Sequence, residues 1–262
     1  MPDYINPSWQ SILKQNRLAD FDALWELQAG WFEEPNQRRG GWSGVSRVEL
    51  PADDSGVRAI FLKRQENHKT FSWRHPFRGI PTFLREFRHI MHYRACSVPT
   101  LEPVFFGTQL VGQDHRAILA TAELGGFAPL EAHLLQWRQE GKPPSAVRRN
   151  ILEAVANLAR CMHENHIQHN CFYPKHVFIR IAANNCVEAR VIDLEKSRWR
   201  PLRIHCTLRD LDTLNRHSRG LGQRDRLHFL KTYLQANHLT PNVRKLWQRL
   251  ADKAAHKHPA AT

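Results

Sequence analysis

No run in the 262 residues approaches eighteen uncharged apolar positions, which excludes a conventional membrane-spanning helix. The opening stretch, MPDYINPSWQ, lacks the basic start and apolar core of a secretion signal, so a cytoplasmic location is expected. Cysteine is sparse: Cys96, Cys161, Cys171, Cys186 and Cys206 form an odd set with no Cys-x-x-Cys spacing. That pattern fits a reducing compartment better than a disulfide framework. Acidic residues are also in deficit, 25 against 38 Lys and Arg, for a formal charge of +13 with 16 His neutral. The basic excess is scattered along the chain and points to an anionic partner, whether nucleic acid, a phosphate-rich membrane surface or a charged small molecule. There is no internal repeat and no RNP, helix-turn-helix or zinc-finger signature. Eight Trp and thirteen Phe among many Arg would permit base stacking, but without such a motif no nucleic-acid partner is expected.

Apolar residues make up 42% and charged residues 24%, ordinary globular usage that argues against wholesale disorder. Residues 1–36 read as an N-terminal extension with one amphipathic helix, since Phe21, Leu24, Trp25 and Gln28 recur at helical spacing. Residues 37–126 read as a strand-rich lobe. A glycine turn (Gly40 to Gly44) feeds a strand, residues 57–65 return as its partner, and 66–81 is expected to be an irregular loop. A helix from Thr82 places Phe83, Phe87, Ile90 and Met91 on one face, and strands follow over 99–107 and 115–124. Gly125 and Gly126 make a hinge. Residues 127–250 are expected to be mainly helical. Ser145 there caps a helix whose Val147, Ile151, Ala154, Val155, Leu158 and Met162 share a face, and two short strands cover 176–181 and 188–194. The last segment, 251–262, is expected to be a disordered tail. The outline is α+β.

Four features stand in the order that a kinase-like phosphotransferase needs. Gly41 and Gly44 lie in a turn whose backbone N–H groups could approach phosphates closely. Lys63 ends the next strand, where a fixed ammonium could pair with nucleotide phosphates. Glu86 follows in the helix beside its apolar stripe and could hold Lys63. A long helix then leads to His166–Cys171 and two short strands ending at Asp193, whose carboxylate could coordinate Mg²⁺. Cys161, His163, His166, His169, Cys171 and His176 crowd into sixteen residues, but their spacing matches no common zinc site, and helix packing plus a histidine-rich loop accounts for them better.

At these residues the chain resembles the InaA-like branch of the Kdo/WaaP-type lipopolysaccharide core heptose kinases, distant relatives of protein kinases. The matching strings are FLKRQENH (61–68), FLREFRHI (83–90), HNCFYPKHVFI (169–179), VIDLEK (191–196) and LRDLDTL (208–214), and the likeness covers roughly residues 40–235. The resemblance implies a two-lobed protein-kinase-like fold, with a small β-rich N-lobe and a mainly helical C-lobe. It implies ATP and Mg²⁺ as cofactors and a sugar hydroxyl of the lipopolysaccharide core, or a lipid-linked sugar, as acceptor. Lys63 and Glu86 would be the nucleotide-anchoring pair, Asp193 the metal ligand and His176 the second metal position. Arg209 and Asp210 would form a structural element of the lobe. Asn170 stands where kinases carry the catalytic aspartate, and an amide can orient a hydroxyl but cannot take its proton. The expected function is therefore an ATP-dependent sugar kinase, with a pseudokinase-like regulatory or stress-response binding protein as the alternative. The basic surface would favour peripheral contact with the cytoplasmic face of the inner membrane.

Overall fold

The structure, a computed structural model, describes residues 3–38, 40–52, 56–72 and 75–257. The chain forms two units: Met1–His92 with Leu101–Gly125, and Tyr93–Thr100 with Gly126–Thr262.

The first unit is built on a six-stranded antiparallel sheet. Its spatial order is Tyr4–Ile5, Pro103–Val111, Asp114–Ala122, Gly56–Glu66, Gly41–Ala52 and Trp31–Arg38. The two-residue period of a strand sends Ile60 and Leu62 into a core with Leu50, Val104, Phe105 and Ile118. Residues 1–36, expected to be an extension of their own, supply much of that core: Trp9, Ile12, Leu13, Phe21 and Leu24 are all buried in it. The helices Gln10–Gln15 and Phe21–Glu26 are six residues each, too short to stand without tertiary packing. Arg64 ties the second of them to the sheet, donating from Nη1 to the carbonyls of Trp25 and Leu27 at 2.9 Å each.

Two expectations are corrected in this unit. Residues 66–81 are not an irregular loop throughout: Lys69–Ser72 pairs with His75–Pro81 as a separate two-stranded ribbon. A two-stranded ribbon has only edge strands, where proline is tolerated, and Pro81 pairs with Lys69 at its end. Met91, expected on the buried face of the helix Thr82–Ala95, is 37% exposed, while Phe83, Phe87 and Ile90 are buried. Eight residues are 800° of rotation, so Met91 lies about 80° round from Phe83 and clears the sheet.

The second unit is mainly helical: Leu130–Gln139, Ser145–Glu164, Arg203–His217, Gln223–Tyr233 and Pro241–Lys257. The first of these was not anticipated, although Leu130, Leu134 and Trp137 are buried at helical spacing. Ser145 does not cap its helix; Pro144 stands at that position with no side-chain hydrogen bond. A three-stranded antiparallel sheet orders Val187–Val191, Val177–Ile181 and Ala128–Pro129, and Ile167–Gln168 pairs with Arg198–Trp199. The segment expected as a tail is helical through Lys257, because Leu246 and Leu250 bury the helix and Lys253 Nζ donates to the Leu208 carbonyl at 3.2 Å. Residues 258–262 lie outside the described residues. Among the described residues no helix is long and apolar enough to cross a membrane.

Candidate active site

In the first unit, strand alternation turns Lys63 and Gln65 to the face opposite Leu62. Gln65, fully buried, accepts the Phe83 N–H on its Oε1 at 2.9 Å and donates from Nε2 to the His68 carbonyl at 2.6 Å. This side chain fixes the start of the helix Thr82–Ala95 on the strand. One helical turn later Glu86 faces the strand residue two positions before Gln65, and Lys63 Nζ meets Glu86 Oε1 at 2.7 Å. Glu86 is 4% exposed, and a carboxylate at that depth needs a paired cation. The expected pair is thus in contact. The sequence offers no motif that singles out Gln65, which holds the geometry.

The glycine segment is not a loop. Only Gly40, at φ +78°, belongs to the turn, while Gly41 through Gly44 lie in the strand Gly41–Ala52. The two glycines expected to face a cofactor have a packing reason of their own. A Cβ on Gly44 would sit 2.7 Å from the Trp31 ring, and one on Gly41 would collide with the backbone of Glu66, Asn67 and His68. Gly41→Ala is expected to cost about 1–3 kcal/mol of stability, read from urea unfolding. An unchanged midpoint would show that the neighbouring strand gives way freely.

The second unit gathers the remaining predicted residues around one buried carboxylate. Asp210, fully buried, accepts the backbone N–H of His169 on Oδ2 at 2.7 Å and that of Asn170 on Oδ1 at 2.8 Å; His163 Nε2 lies 3.3 Å from Oδ2. The loop is thereby pinned from below. His169 is also fully buried; its Nδ1 accepts from the Cys171 N–H, and its Nε2–H donates to the Ile192 carbonyl at 2.9 Å. Burial pushes its pKa down, which keeps the ring neutral and that bond intact. Because Ile192 immediately precedes Asp193, this bond couples the loop to the candidate metal ligand. Asn170 and Asp193 both sit in left-handed conformations, φ +68° and +60°, a backbone region in which Asn and Asp are the least penalised side chains after glycine.

Asp193 and His176 face each other, with Oδ2 and Nε2 3.4 Å apart. His176 Nδ1 lies 2.8 Å from the Cys171 carbonyl and can only donate to it, so in the neutral ring the Nε2 lone pair points toward the carboxylate. Two acceptors aimed at one space suit a cation or a proton between them. Mg²⁺ takes one or two protein carboxylates and keeps its other positions for water and phosphate oxygens, so the Asp193 carboxylate fits it. The imidazole nitrogen is a softer donor than Mg²⁺ prefers, and His176 would serve it directly or through a held water. Among the described residues no group of three or more His, Cys, Asp or Glu is arranged to hold a metal.

The strand-rich unit with its lysine–glutamate pair and the helical unit with its clamped loop define a protein-kinase-like fold. Residues 22–233 match the model of the lipopolysaccharide kinase (Kdo/WaaP) family, and the chain belongs to that family. Protein InaA of Escherichia coli is 32% identical over 209 residues, which cover 79% of this chain and 91% of that protein. The lipopolysaccharide core heptose(I) kinase WaaP of Pseudomonas aeruginosa is 28% identical over 167 residues, 58% of this chain and 59% of that protein. A solved structure of WaaP in complex with acyl carrier protein shares the fold, with a TM-score of 0.67 and 23% identity, covering 98% of this chain and 99% of that one.

Proposed function

We propose that this protein transfers the γ-phosphate of ATP to a hydroxyl of a lipopolysaccharide inner-core sugar, with a heptose as the acceptor. The observation that carries this reading is the arrangement in the second unit, where a loop clamped by Asp210 presents Asn170 and is bonded to the residue before Asp193. Family membership supplies the acceptor class, through the name of the related heptose kinase. Mg²⁺, when bound with nucleotide, would neutralise charge on the phosphates, with Asp193 and His176 as its protein ligands. Lys63 would clamp phosphate oxygens, with Glu86 holding it in place, and the backbone at Gly41 and Gly44 would lie along them. The excess of basic residues would draw the protein to anionic membrane surfaces, an attraction that weakens as salt rises.

Asn170 orients the acceptor and does not deprotonate it. Arg200 Nε donates to Gln168 Oε1 at 2.7 Å, and Gln168 Nε2 donates to Asn170 Oδ1 at 2.9 Å. A guanidinium can only donate, so the order of both amides is set from that end, and Asn170 is left with Nδ2 as its outward group. An N–H there can hold the acceptor oxygen while its proton leaves to water or to a phosphoryl oxygen. A loose phosphoryl-transfer transition state asks for little early deprotonation. In a turnover assay with ATP, Mg²⁺ and core oligosaccharide, Asn170→Ala is expected to lower the rate by roughly tenfold to a hundredfold, the low end of what a positioned proton-transfer group contributes. Asn170→Asp keeps the bond from Gln168 and adds an acceptor, so it should hold or raise the rate.

The same donor-only amide favours a second reading, a nucleotide-binding regulatory protein without transfer activity. Nucleotide binding in wild type with no turnover on any core acceptor would establish that reading and overturn the first.

A further inference from the structure

Beside Asn170 the second unit carries a cavity of about 450 Å³ whose polar lining is Gln168, Asn170, Arg200, His205, Arg209 and Lys253. No carboxylate lines it. Arg200, partly buried, and Arg209, exposed, form no ion pair among the described residues, although most of the chain's other partly buried arginines have an acidic partner or carbonyls to bond. The relay from Arg200 through Gln168 turns the Asn170 amide so that its N–H₂ also faces outward. His205 stands on the first turn of the helix Arg203–His217, and Lys253 comes from the helix Pro241–Lys257, its ammonium held near the Leu208 carbonyl at 3.2 Å. Three formal positive charges from separate parts of the chain thus converge with donor groups on one concavity. Such a lining repels cations, and a neutral sugar would leave the guanidinium charges of Arg200 and Arg209 unanswered, whereas an anion answers them.

We propose that this cavity binds an anionic group, a phosphate monoester or a carboxylate, carried by the acceptor sugar. The proposal deepens the kinase reading and rests on it for the word acceptor. The acceptor of this protein is then an already charged saccharide, anchored by its anion beside Asn170 while a neighbouring hydroxyl is presented for transfer. The cavity selects for charge and leaves the choice of hydroxyl to the geometry at Asn170.

Direct binding to the full chain tests this without any turnover. The probes are mannose 6-phosphate, glucuronate and neutral mannose, titrated calorimetrically in low salt without nucleotide. Both charged sugars, or one of them, should bind while mannose does not, and the stronger of the two identifies which anion the cavity takes. Arg209→Gln and Lys253→Gln should each weaken that binding by about tenfold or more, the usual effect of removing one charged hydrogen-bond donor. Arg219→Gln, in the turn after the helix Arg203–His217, should leave it unchanged. Three results would overturn the proposal: no binding of either anion to folded wild type, equal losses in Arg219→Gln and Arg209→Gln, or binding that survives Arg209→Gln but is lost in Lys63→Met. The last would place the anion with the nucleotide-clamping lysine. ATP binding measured in parallel separates the two claims, since its absence with anion binding intact would remove the kinase reading and leave an anion-binding cavity.

Discussion

Asp193→Asn is expected to reduce phosphoryl transfer by a thousandfold or more while leaving the unfolding midpoint close to that of wild type. A thousandfold loss is about 4 kcal/mol on the activation barrier, the scale expected when a metal ligand is lost from a charged transition state. The asparagine keeps the volume of the side chain and tolerates the left-handed backbone at φ +60°, so the comparison isolates the charge. Asp193→Ala should lose as much activity, with about 1 kcal/mol of stability besides, because alanine is penalised in that conformation. Single-turnover assays with core oligosaccharide, beside thermal melts, separate the two effects. A rate within a few fold of wild type in Asp193→Asn would remove this residue from the mechanism.

Asp210→Ala is expected to be the most destabilising single change in the second unit. It strands the N–H groups of His169 and Asn170 and the ring of His163 around the place of a fully buried carboxylate. A buried donor left without its acceptor costs about 1–3 kcal/mol, more where a charge had answered it. Over three groups that is about 3–9 kcal/mol, comparable with the whole stability of many domains. Asp210→Asn should recover little, because one carbonyl oxygen cannot serve three donors placed on two oxygens, and the amide nitrogen would meet an N–H. Urea unfolding gives the cost, and hydrogen exchange at the His169 and Asn170 amides locates it. Full protection of those amides in either variant would show that the loop is held by something other than Asp210.

The candidate site residues were legible because each belongs to a short string with a local reason. Lys63 falls at a strand position set by alternation, and Glu86 lies beside the apolar stripe of a helix; Asp193, expected at a strand end, stands two residues beyond the strand Val187–Val191, where its left-handed backbone turns the chain into a short 3-10 helix. Alternation and helical period are properties of neighbours in the chain, and they also placed six of the strands and the helices Thr82–Ala95 and Ser145–Glu164. The misreadings came where local composition opposed tertiary context. Prolines and glycines over 66–81 suggested an irregular loop, yet a ribbon of edge strands admits them. The apolar positions of residues 1–36 were visible, but their place in the core of the strand-rich unit depended on Arg64 and on strands far along the chain.

The orientation of the candidate site rests on contacts between residues far apart in the chain. Gln65 meets Phe83 across eighteen residues, Arg200 reaches Gln168 across thirty-two, and Asp210 takes the Asn170 N–H across forty. A hydrogen bond between residues so far apart leaves no period in the sequence, since either partner alone is an ordinary polar side chain. The order of residues along the chain sets which groups are present: a lysine, a glutamate, an amide where an acid is usual, and a carboxylate. Only the folded chain decided that the amide turns its N–H₂ outward beside Arg200, Arg209 and Lys253. The reason is physical: a guanidinium has no acceptor to offer, so its direction passes through Gln168 to Asn170 only once all three are brought together.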